Sequence, residues 1–469
     1  MHKARTAAVA ALIAAAAAAA TMAVPATMTT AAAAVPAGGA GVSAALNVTV
    51  RPAAIRLPGA PRQAPPTTAQ CKKLDGIACF NPNQLRAAYH LPALYAQGVT
   101  GKGQTIMIVD SFGSPTIKAD LAAFDKQFGY PAPPKFTVIA PVGKITKFDP
   151  SWAGETTLDV EYAHALAPGA NILLVETPVS ETEGVTGFPQ IVAAEKYAMA
   201  HYKVSVISQS FGATEQTFPG TKLPAALRAA YTDAASRKVT VLAASGDGGA
   251  TDYKSDQVSY YTSRVASWPD SDPLVTAIGG TQLKQTAAGY KSVAWNDTYD
   301  QAWQLYATGS ADPNPVASGG GKSAFFARPA YQSSVKAVTG VRRGVPDISM
   351  SAACDGAVDT YSSYGGAAGW SLTCGTSEAT PEFAAIVALA DQVAGHRLGN
   401  INAALYKLSA RHVPGIVDVT SGNNTVSFFQ GTSINPVKVK GYGATKGYDL
   451  VTGVGTVSAP AFVHELAGK

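Results

Sequence analysis

Short apolar runs alternate with longer amphipathic segments along most of the chain. Continuous apolar runs of this length are typical of strands buried on both faces, and apolar residues three or four positions apart are typical of helices. The predicted strands are residues 105–110, 171–176, 204–210 and 239–245, and the predicted helices are residues 118–128, 191–200 and 225–237. This alternation predicts an α/β fold with a mostly parallel central sheet and helices on both faces.

Polar residues follow the carboxyl ends of three predicted strands. Asp110 ends the first strand, the turn 210–212 (SFG) follows the third, and Asp247 follows the fourth. In open parallel sheets, active sites lie beyond the carboxyl ends of the strands. We therefore expect the functional groups of this protein at that edge of the sheet.

The first 26 residues have the pattern of a secretory signal peptide. His2, Lys3 and Arg5 precede an apolar run over residues 7–20, and the sequence VPA at residues 24–26 is an acceptable cleavage site. An uncleaved membrane anchor is the alternative, but the run is shorter than the ~20 apolar residues that a membrane span needs. We therefore predict a secreted protein with no membrane attachment after cleavage.

Residues 27–68 differ in composition from the rest of the chain. They contain six prolines and no acidic residue, which is typical of a linker or a short pro-segment rather than a folded domain. Ordinary globular composition begins at about residue 69 and continues to residue 469. We therefore predict one folded domain over residues 69–469.

The positive charge of the chain is confined to its beginning. The whole sequence carries 36 Lys and Arg against 31 Asp and Glu, a net charge of +5. Residues 1–74 contain seven basic residues and no acidic one, so the remainder has a net charge of −2. A basic face that binds nucleic acid therefore has no support in the folded part.

Four cysteines are consistent with an oxidising compartment. They allow three pairings, and we predict that nearest neighbours pair, Cys71 with Cys79 and Cys354 with Cys374, which closes two short loops. Free buried cysteines are the alternative. No C-x-x-C spacing is present, which argues against a zinc site or a thioredoxin-like motif.

Ser377 is the candidate nucleophile. It lies in the motif GTSEATP at residues 375–381, and the apolar run at residues 383–394 predicts that a helix begins near it. Free backbone N–H groups and the helix dipole favour a developing anion there, although a serine at this place is also a good helix cap.

A nucleophilic serine needs a base, and histidine is the usual one. None of the seven histidines has the H-G-T setting of a subtilisin-type triad, and only His164 lies near other candidate residues.

Three carboxyl groups offer a different kind of base. Glu155 and Asp159 are four residues apart, so their side chains share one face of a helix. In a cleft such a pair holds one proton between them, because repulsion forces one pKa upward. Asp247 lies in a turn flanked by glycines after a strand. The alternatives are a solvated helix face for the pair and an ordinary turn residue for Asp247.

Together these segments resemble the sedolisin family of serine-carboxyl peptidases, which combine a subtilisin-like fold with a Ser-Glu-Asp triad that works in acid. The resemblance implies that Ser377 is the nucleophile, Glu155 the general base and Asp159 its orienting partner. It implies that a protonated Asp247 hydrogen-bonds the oxyanion, and that Asp110 extends the carboxyl chain. Further segments match the family in order, at residues 104–110, 206–212, 268–281, 318–332 and 345–351.

The same resemblance implies one structural Ca²⁺ ion near the C-terminus. Asp418 and Asp449 would supply carboxylates, while Val419, Thr445 and Gly447 would supply main-chain carbonyl oxygens. Oxygen donors of this kind suit Ca²⁺. Thr445 departs from the family, in which glycine is common at that position.

The segment before the catalytic domain is the main departure from the family. Members usually carry a large folded pro-domain, whereas residues 27–68 are too short and too rich in Pro and Ala to fold alone. We expect either that the domain folds unaided or that the disulfides and Ca²⁺ take over the stabilising role of a pro-domain.

The resemblance thus implies a secreted, extracellular, acid-active serine-carboxyl peptidase. We expect a monomer that hydrolyses protein or peptide substrates, either as an endopeptidase or as a tripeptidyl-peptidase. One alternative is a catalytically silent relative that binds protein or cell-wall material, against which the presence of all four catalytic positions argues. The other is a neutral-pH hydrolase with His164 as base, which would lose its activity when that residue is replaced.

Overall fold

The computed structural model of the chain describes residues 54–365 and 368–469. The predicted signal peptide and residues 27–53 of the predicted linker lie outside these residues. In chain order, the strands of the described residues are β1 (Ile55–Arg56), β2 (Cys79–Phe80), β3 (Thr105–Ser111), β4 (Phe136–Ile139), β5 (Asn171–Thr177), β6 (Val206–Gln209), β7 (Ala213–Thr214), β8 (Thr240–Ala244), β9 (Ser267–Trp268), β10 (Thr276–Thr286), β11 (Gly289–Ala294), β12 (Gly321–Ala327), β13 (Arg342–Val345), β14 (Ile348–Ser351), β15 (Ala357–Ser362), β16 (Gly369–Cys374), β17 (Ile416–Val417), β18 (Val426–Phe428), β19 (Val437–Val439) and β20 (Thr456–Val457). The α-helices are α1 (Thr68–Leu74), α2 (Pro82–Ala88), α3 (Leu91–Tyr95), α4 (Ile117–Phe128), α5 (Pro150–Leu166), α6 (Phe188–His201), α7 (Ala229–Ser236), α8 (Gln301–Thr308), α9 (Lys336–Thr339), α10 (Thr376–Ala394), α11 (Asn402–Ala410) and α12 (Ala459–Leu466).

The central sheet has the strand order β11-β10-β8-β6-β3-β5-β4, and β14 also pairs with β10. Its neighbouring strands run parallel, except that β11 is antiparallel to β10. The register places Ile108 of β3 opposite Leu174 of β5 and Ser208 of β6. The predicted α/β fold with a mostly parallel central sheet is confirmed.

Helices cover both faces of this sheet, which explains why its strands are apolar at successive positions. Ile106 and Ile108 belong to the core on the side of α5 and α10, whereas Met107 and Val109 belong to the core on the side of α6 and α7. Helix α10 crosses its face in contact with β3, β6, β8, β10 and β14, and it also packs against α5. The two helices that carry the candidate nucleophile and the candidate base are therefore in direct contact.

The predicted elements agree with the observed ones to within about three residues at most ends. The predicted helix at residues 225–237 is the exception, because it begins as a 3₁₀ turn at Ala225–Arg228 before continuing as α7. Pro224 immediately precedes this turn, and the missing N–H and fixed φ of proline favour such a start.

A smaller sheet has the strand order β1-β16-β15-β2, and its strand β15 packs against α4 and α5. Both predicted disulfides, Cys71–Cys79 and Cys354–Cys374, are confirmed.

The structure describes residues 54–68 of the predicted linker. They include strand β1, which the composition of this segment did not indicate. Among the described residues, no helix has both the length and the apolar character needed to cross a bilayer.

Candidate active site

Ser377 lies in the first turn of α10, three residues after the end of β16. Gly375 makes the turn between them with a φ of 122°, a region that favours glycine. The disulfide at Cys374 and the hydrogen bond from Gly375 N to Ala352 O (2.8 Å) hold this loop. The Ser377 side chain is fully buried, and its Oγ has no well-formed hydrogen bond among the described residues. The hydroxyl is therefore available for a reaction.

Glu155 and Asp159 lie one turn apart on α5, and both are fully buried. Burial raises the pKa of Glu155 well above its ordinary value, while the nearby Ser377 hydroxyl lowers it in part. Burial also raises the pKa of Asp159, and the charges of Asp110 and Glu155 raise it further. One oxygen of each carboxyl, Glu155 Oε1 and Asp159 Oδ2, has no hydrogen bond among the described residues. The pair therefore favours holding a proton.

Ser210 connects this carboxyl pair to the helix of the nucleophile. Its Oγ lies 2.9 Å from Asp159 Oδ1 and 3.5 Å from the Ser377 carbonyl oxygen. That carbonyl lacks its usual helical partner because residue 381, four positions later, is a proline with no N–H. Pro381 thus leaves an acceptor open within reach of Ser210, a relation that the sequence motif alone did not suggest.

Asp247 follows β8 and faces the start of α10. Its Oδ1 accepts hydrogen bonds from Thr376 N (2.8 Å) and Thr376 Oγ1 (2.7 Å), while its Oδ2 has no partner among the described residues. Burial raises the pKa of Asp247 to about 7, against a lowering effect of the two Thr376 bonds. Because one oxygen is fixed as an acceptor, the other is the oxygen that carries the proton. Below its pKa, Asp247 is therefore a hydrogen-bond donor with a fixed direction.

Asp110 lies at the carboxyl end of β3, close to Glu155 and Asp159. It is buried, neither of its carboxyl oxygens has a well-formed hydrogen bond among the described residues, and its charge raises the pKa of both Glu155 and Asp159. Burial raises the pKa of Asp110 itself to about 7, with Thr156 lowering it in part. The structure therefore brings the predicted carboxyl residues and Ser377 to one end of the sheet.

His164 is directed elsewhere. Its Nε2 lies 2.9 Å from the Pro131 carbonyl oxygen and 3.2 Å from Asp125 Oδ1, and the side chain is fully buried. These contacts account for His164 as a structural residue on the far side of α5 from the reacting groups.

A cavity of about 410 Å³ lies beside this site, with Asp247 in its wall. Glu181, Glu183 and Asp252 also line it, and none of them belongs to a motif that the sequence indicates. They lie in loops that carry no recognisable motif, so only the fold assembles them. Residues 54–56 form another part of the wall, although their Pro- and Ala-rich segment predicts a linker.

The predicted Ca²⁺ ligands lie together near the C-terminus. Asp418 Oδ2 accepts a hydrogen bond from Gly447 N (2.9 Å), and Asp449 Oδ2 accepts one from Thr445 N (2.9 Å). Val419 directly follows Asp418 and is buried. Neither carboxylate forms an ion pair with a basic side chain in the part of the chain that is described. Asp449 Oδ1 also accepts hydrogen bonds from Val451 N (2.9 Å) and Thr452 N (2.8 Å). Oxygen donors of this kind suit Ca²⁺, and the Ca²⁺ site stays a prediction.

The fold and the site together define a subtilisin-like α/β protein with a serine and carboxyl groups at its centre. The sequence profile of the Subtilase family matches residues 152–433, more than half of the chain. Kumamolisin of Bacillus sp. (strain MN-32) is 31% identical over 393 residues, which cover 80% of this chain and 62% of kumamolisin. Sedolisin of Pseudomonas sp. (strain 101) is 30% identical over 312 residues, which cover 66% of this chain and 48% of sedolisin.

A solved structure supports the same relationship. Pseudomonas sedolisin, a serine-carboxyl proteinase complexed with two molecules of pseudo-iodotyrostatin, aligns with a TM-score of 0.66 and 25% identity over 84% of this chain and 99% of that one. The chain belongs to the subtilase family, and within it to the sedolisins. It spans less than two thirds of the length of kumamolisin and about half that of sedolisin.

Proposed function

We propose that this protein is an acid-active serine-carboxyl peptidase that hydrolyses peptide bonds in proteins or peptides. The observation that carries the proposal is that three groups meet at one end of the sheet: the Ser377 hydroxyl, the proton-holding pair of Glu155 and Asp159, and the directed donor Asp247. Relatives of this chain are named as peptidases and as a serine-carboxyl proteinase, which supports the same reaction.

In the proposed reaction, Ser377 Oγ attacks the scissile carbonyl carbon while Glu155 removes the hydroxyl proton. The oxyanion of the tetrahedral intermediate accepts hydrogen bonds from Asp247 Oδ2 and from the Ser377 backbone N–H, at the start of a helix. Glu155 then protonates the leaving amine as the C–N bond breaks, which leaves an ester on Ser377 Oγ. Water hydrolyses this ester, with Glu155 taking the proton of the water, and the Ser377 hydroxyl is restored. Asp159 shares a proton with Glu155 and orients it, and Ser210 keeps Asp159 in place.

The working pH follows from the charge that each group must carry. Asp247 donates to the oxyanion only when it is protonated, and an ionised carboxylate there would repel the developing negative charge. Its pKa of about 7 therefore limits activity on the alkaline side. Full protonation of the Glu155 and Asp159 pair removes the base and limits activity on the acidic side.

Secretion and a structural Ca²⁺ ion are part of the proposal. The leader pattern at residues 1–26 and the two disulfides support an oxidising, extracellular destination.

The proposed Ca²⁺ ion would be held by the carboxylates of Asp418 and Asp449 and by the main-chain carbonyls of Val419, Thr445 and Gly447. Bound Ca²⁺ would join two C-terminal loops without taking part in the reaction.

The testing experiment is cleavage of an unfolded protein between pH 3 and pH 8. The wild-type chain is compared with Ser377→Ala and with Ser236→Ala, a control on an exposed helix end. We expect activity that is highest in acid and falls to about a tenth of its plateau by pH 8 in the wild type and in the control, and none in Ser377→Ala. Activity that survives in Ser377→Ala would refute the assignment of the nucleophile.

The base is tested by a second matched pair of variants. Glu155→Gln is expected to lose activity, whereas Glu195→Gln, the same change at a buried glutamate of α6, is expected to keep it. A folded wild type that is inactive at every pH would favour a silent binding protein. Loss of activity in His164→Ala with circular dichroism unchanged would favour a histidine base.

A further inference from the structure

The cavity of about 410 Å³ beside the oxyanion donor has an acidic wall. Asp247 lies in this wall together with Glu181, Glu183 and Asp252. In the proposed reaction, Asp247 Oδ2 binds the oxyanion of the attacked carbonyl. The Cα atom of the residue that contributes this carbonyl is about 2.4 Å from the oxyanion, because only one C–O bond and one C–C bond separate them. The side chain of that residue therefore starts within reach of the cavity.

Asp252 is fixed close to the turn that carries Asp247. A Cβ atom on Gly246 would lie 3.4 Å from Asp252 Oδ2. Asp252 Oδ1 accepts a hydrogen bond from Tyr253 N (2.8 Å), and its Oδ2 accepts one from Ser267 Oγ (2.9 Å). One donor on each oxygen thus holds this carboxyl in a single orientation in the cavity wall.

Glu183 is held beside Asp252 by the short sheet of β7 and β9. Its Oε2 accepts hydrogen bonds from Thr214 N (2.8 Å) and Thr217 Oγ1 (3.1 Å). Thr214 of β7 lies opposite Ser267 of β9, so the donor to Glu183 and the donor to Asp252 are direct neighbours. Burial, and after it the charge of Asp252, raises the pKa of Glu183 to about 9. The two carboxyls are therefore close enough to repel each other when both are ionised.

Glu181 adds a third carboxyl to the same wall. It is 4% exposed, and its Oε2 has no hydrogen bond among the described residues. In the part of the chain that is described, no basic side chain forms an ion pair with Glu181 or Asp252. Arg56 is the only basic residue among the described ones that line the cavity, and its guanidinium donates to Ser371 Oγ (2.7 Å). Because a buried polar oxygen without a partner is costly, this wall fits a ligand with a positive charge and N–H donors.

Two tyrosines form a neighbouring part of the wall. The rings of Tyr253 and Tyr260 are stacked, with centroids 4.4 Å apart and an angle of 25° between their planes. Tyr260 Oη donates to Tyr253 Oη at 2.8 Å. Aromatic faces attract cations, and long basic side chains pack their methylene groups on apolar surface while the charge reaches a polar group. The tyrosines and the carboxyls together therefore suit a long basic side chain.

We infer that this cavity binds the side chain of a lysine or arginine at the residue that contributes the attacked carbonyl, and that Asp252 and Glu181 bind its charge. The inference rests on the proposed function and adds a substrate class to it, namely peptide bonds that follow a basic residue. Burial raises the pKa of Asp252, and a bound cation lowers it again, because a nearby opposite charge favours the carboxylate. An uncharged side chain of the same length leaves these carboxyls without an opposite charge and binds less tightly.

The experiment compares internally quenched peptides that differ at one residue, which is lysine, arginine, methionine or leucine. Their N-termini are acetylated, so that any preference for a cation reports the side chain. Values of kcat/KM are measured at pH 6, where Asp247 is mostly protonated, and mass spectrometry identifies the cleaved bond. We expect cleavage after the varied residue, with kcat/KM at least about tenfold higher for lysine and arginine than for methionine and leucine.

Charge-removing variants test the carboxyls themselves. In Asp252→Asn, Oδ1 can accept from Tyr253 N and Nδ2 can donate to Ser267 Oγ, so the local hydrogen bonds are kept. We expect the ratio of kcat/KM for the lysine and methionine peptides to fall about tenfold. Asp256→Asn is the matched control, because Asp256 is an exposed residue of the same loop outside the cavity wall, and it is expected to keep the wild-type ratio. A wild-type ratio in both Asp252→Asn and Glu181→Gln, with circular dichroism unchanged, overturns the inference.

Binding to the variant Ser377→Ala separates this inference from the proposed function. Acetylated tetrapeptides that end in lysine or in methionine are titrated into it, and their dissociation constants are measured by calorimetry. A wild type that cleaves after methionine as fast as after lysine overturns the inference and leaves the peptidase assignment standing. Tighter binding of the lysine peptide, with no cleavage of any peptide by the folded wild type, supports the cation site and overturns the proposed function. Equal binding without cleavage overturns both.

Discussion

Replacing Asp247 with asparagine tests the role of its protonated carboxyl as the oxyanion donor. In the wild type, Oδ1 is fixed by Thr376 and Oδ2 carries the proton. An asparagine has nearly the same shape, so its Oδ1 can accept the Thr376 bonds while its Nδ2 donates at any pH. The variant therefore keeps the donor and removes its titration.

The size of the effect follows from the pKa of about 7 that burial gives Asp247. At pH 8 about a tenth of the molecules keep the proton, so wild-type kcat/KM is expected to be about tenfold below its acidic plateau. Asp247→Asn is expected to change by less than about twofold between pH 6 and pH 8. Asp247→Ala has no donor at all and is expected to lose about 10²- to 10³-fold at the acidic optimum.

The assay is kcat/KM on a quenched fluorescent peptide from pH 3 to pH 9, with circular dichroism at each pH. Asp391→Asn is the matched control, because burial also raises the pKa of Asp391 to about 7, near the opposite end of α10. It is expected to keep the wild-type alkaline decline. A decline in Asp247→Asn equal to that of the wild type would show that another group sets the alkaline limit.

Three further predictions concern stability. Burial raises the pKa of Glu195 from 4.5 to about 8. The contribution of its protonated form to stability is therefore fully present below pH 4.5 and is lost as the pH rises through 8. Between pH 4 and pH 7, the free energy of unfolding measured in urea should fall about 3 kcal/mol more for the wild type than for Glu195→Gln. After bound metal has been removed with a chelator, adding Ca²⁺ at 100 times its Kd should stabilise the wild type by about 2.7 kcal/mol, measured by thermal unfolding. An equal stabilisation of the double variant Asp418→Asn, Asp449→Asn would contradict the site. Replacing Cys354 and Cys374 with serine opens a loop of 20 residues and should cost about 3 kcal/mol, measured by urea unfolding.

Much of the framework could be predicted because it depends on local patterns. The apolar run at residues 105–110 gave the position of β3, and the spacing of Glu155 and Asp159 gave a shared helix face. Nearest-neighbour pairing of the cysteines was correct as well. In each case neighbouring residues carry the information, since a strand repeats every two residues and a helix every 3.6.

The relations that complete the site connect residues far apart in the chain. Asp247 is held by Thr376, 129 residues later, and Ala54 meets Glu155 across 101 residues. No local pattern encodes such a contact, because it exists only when parallel strands bring their carboxyl ends to one edge of the sheet. The sequence by itself therefore determined which residue types could react and on which elements they lie. The tertiary structure alone decided which oxygen of each carboxyl is free, how far burial raises its pKa, and that a segment of the chain itself reaches the base.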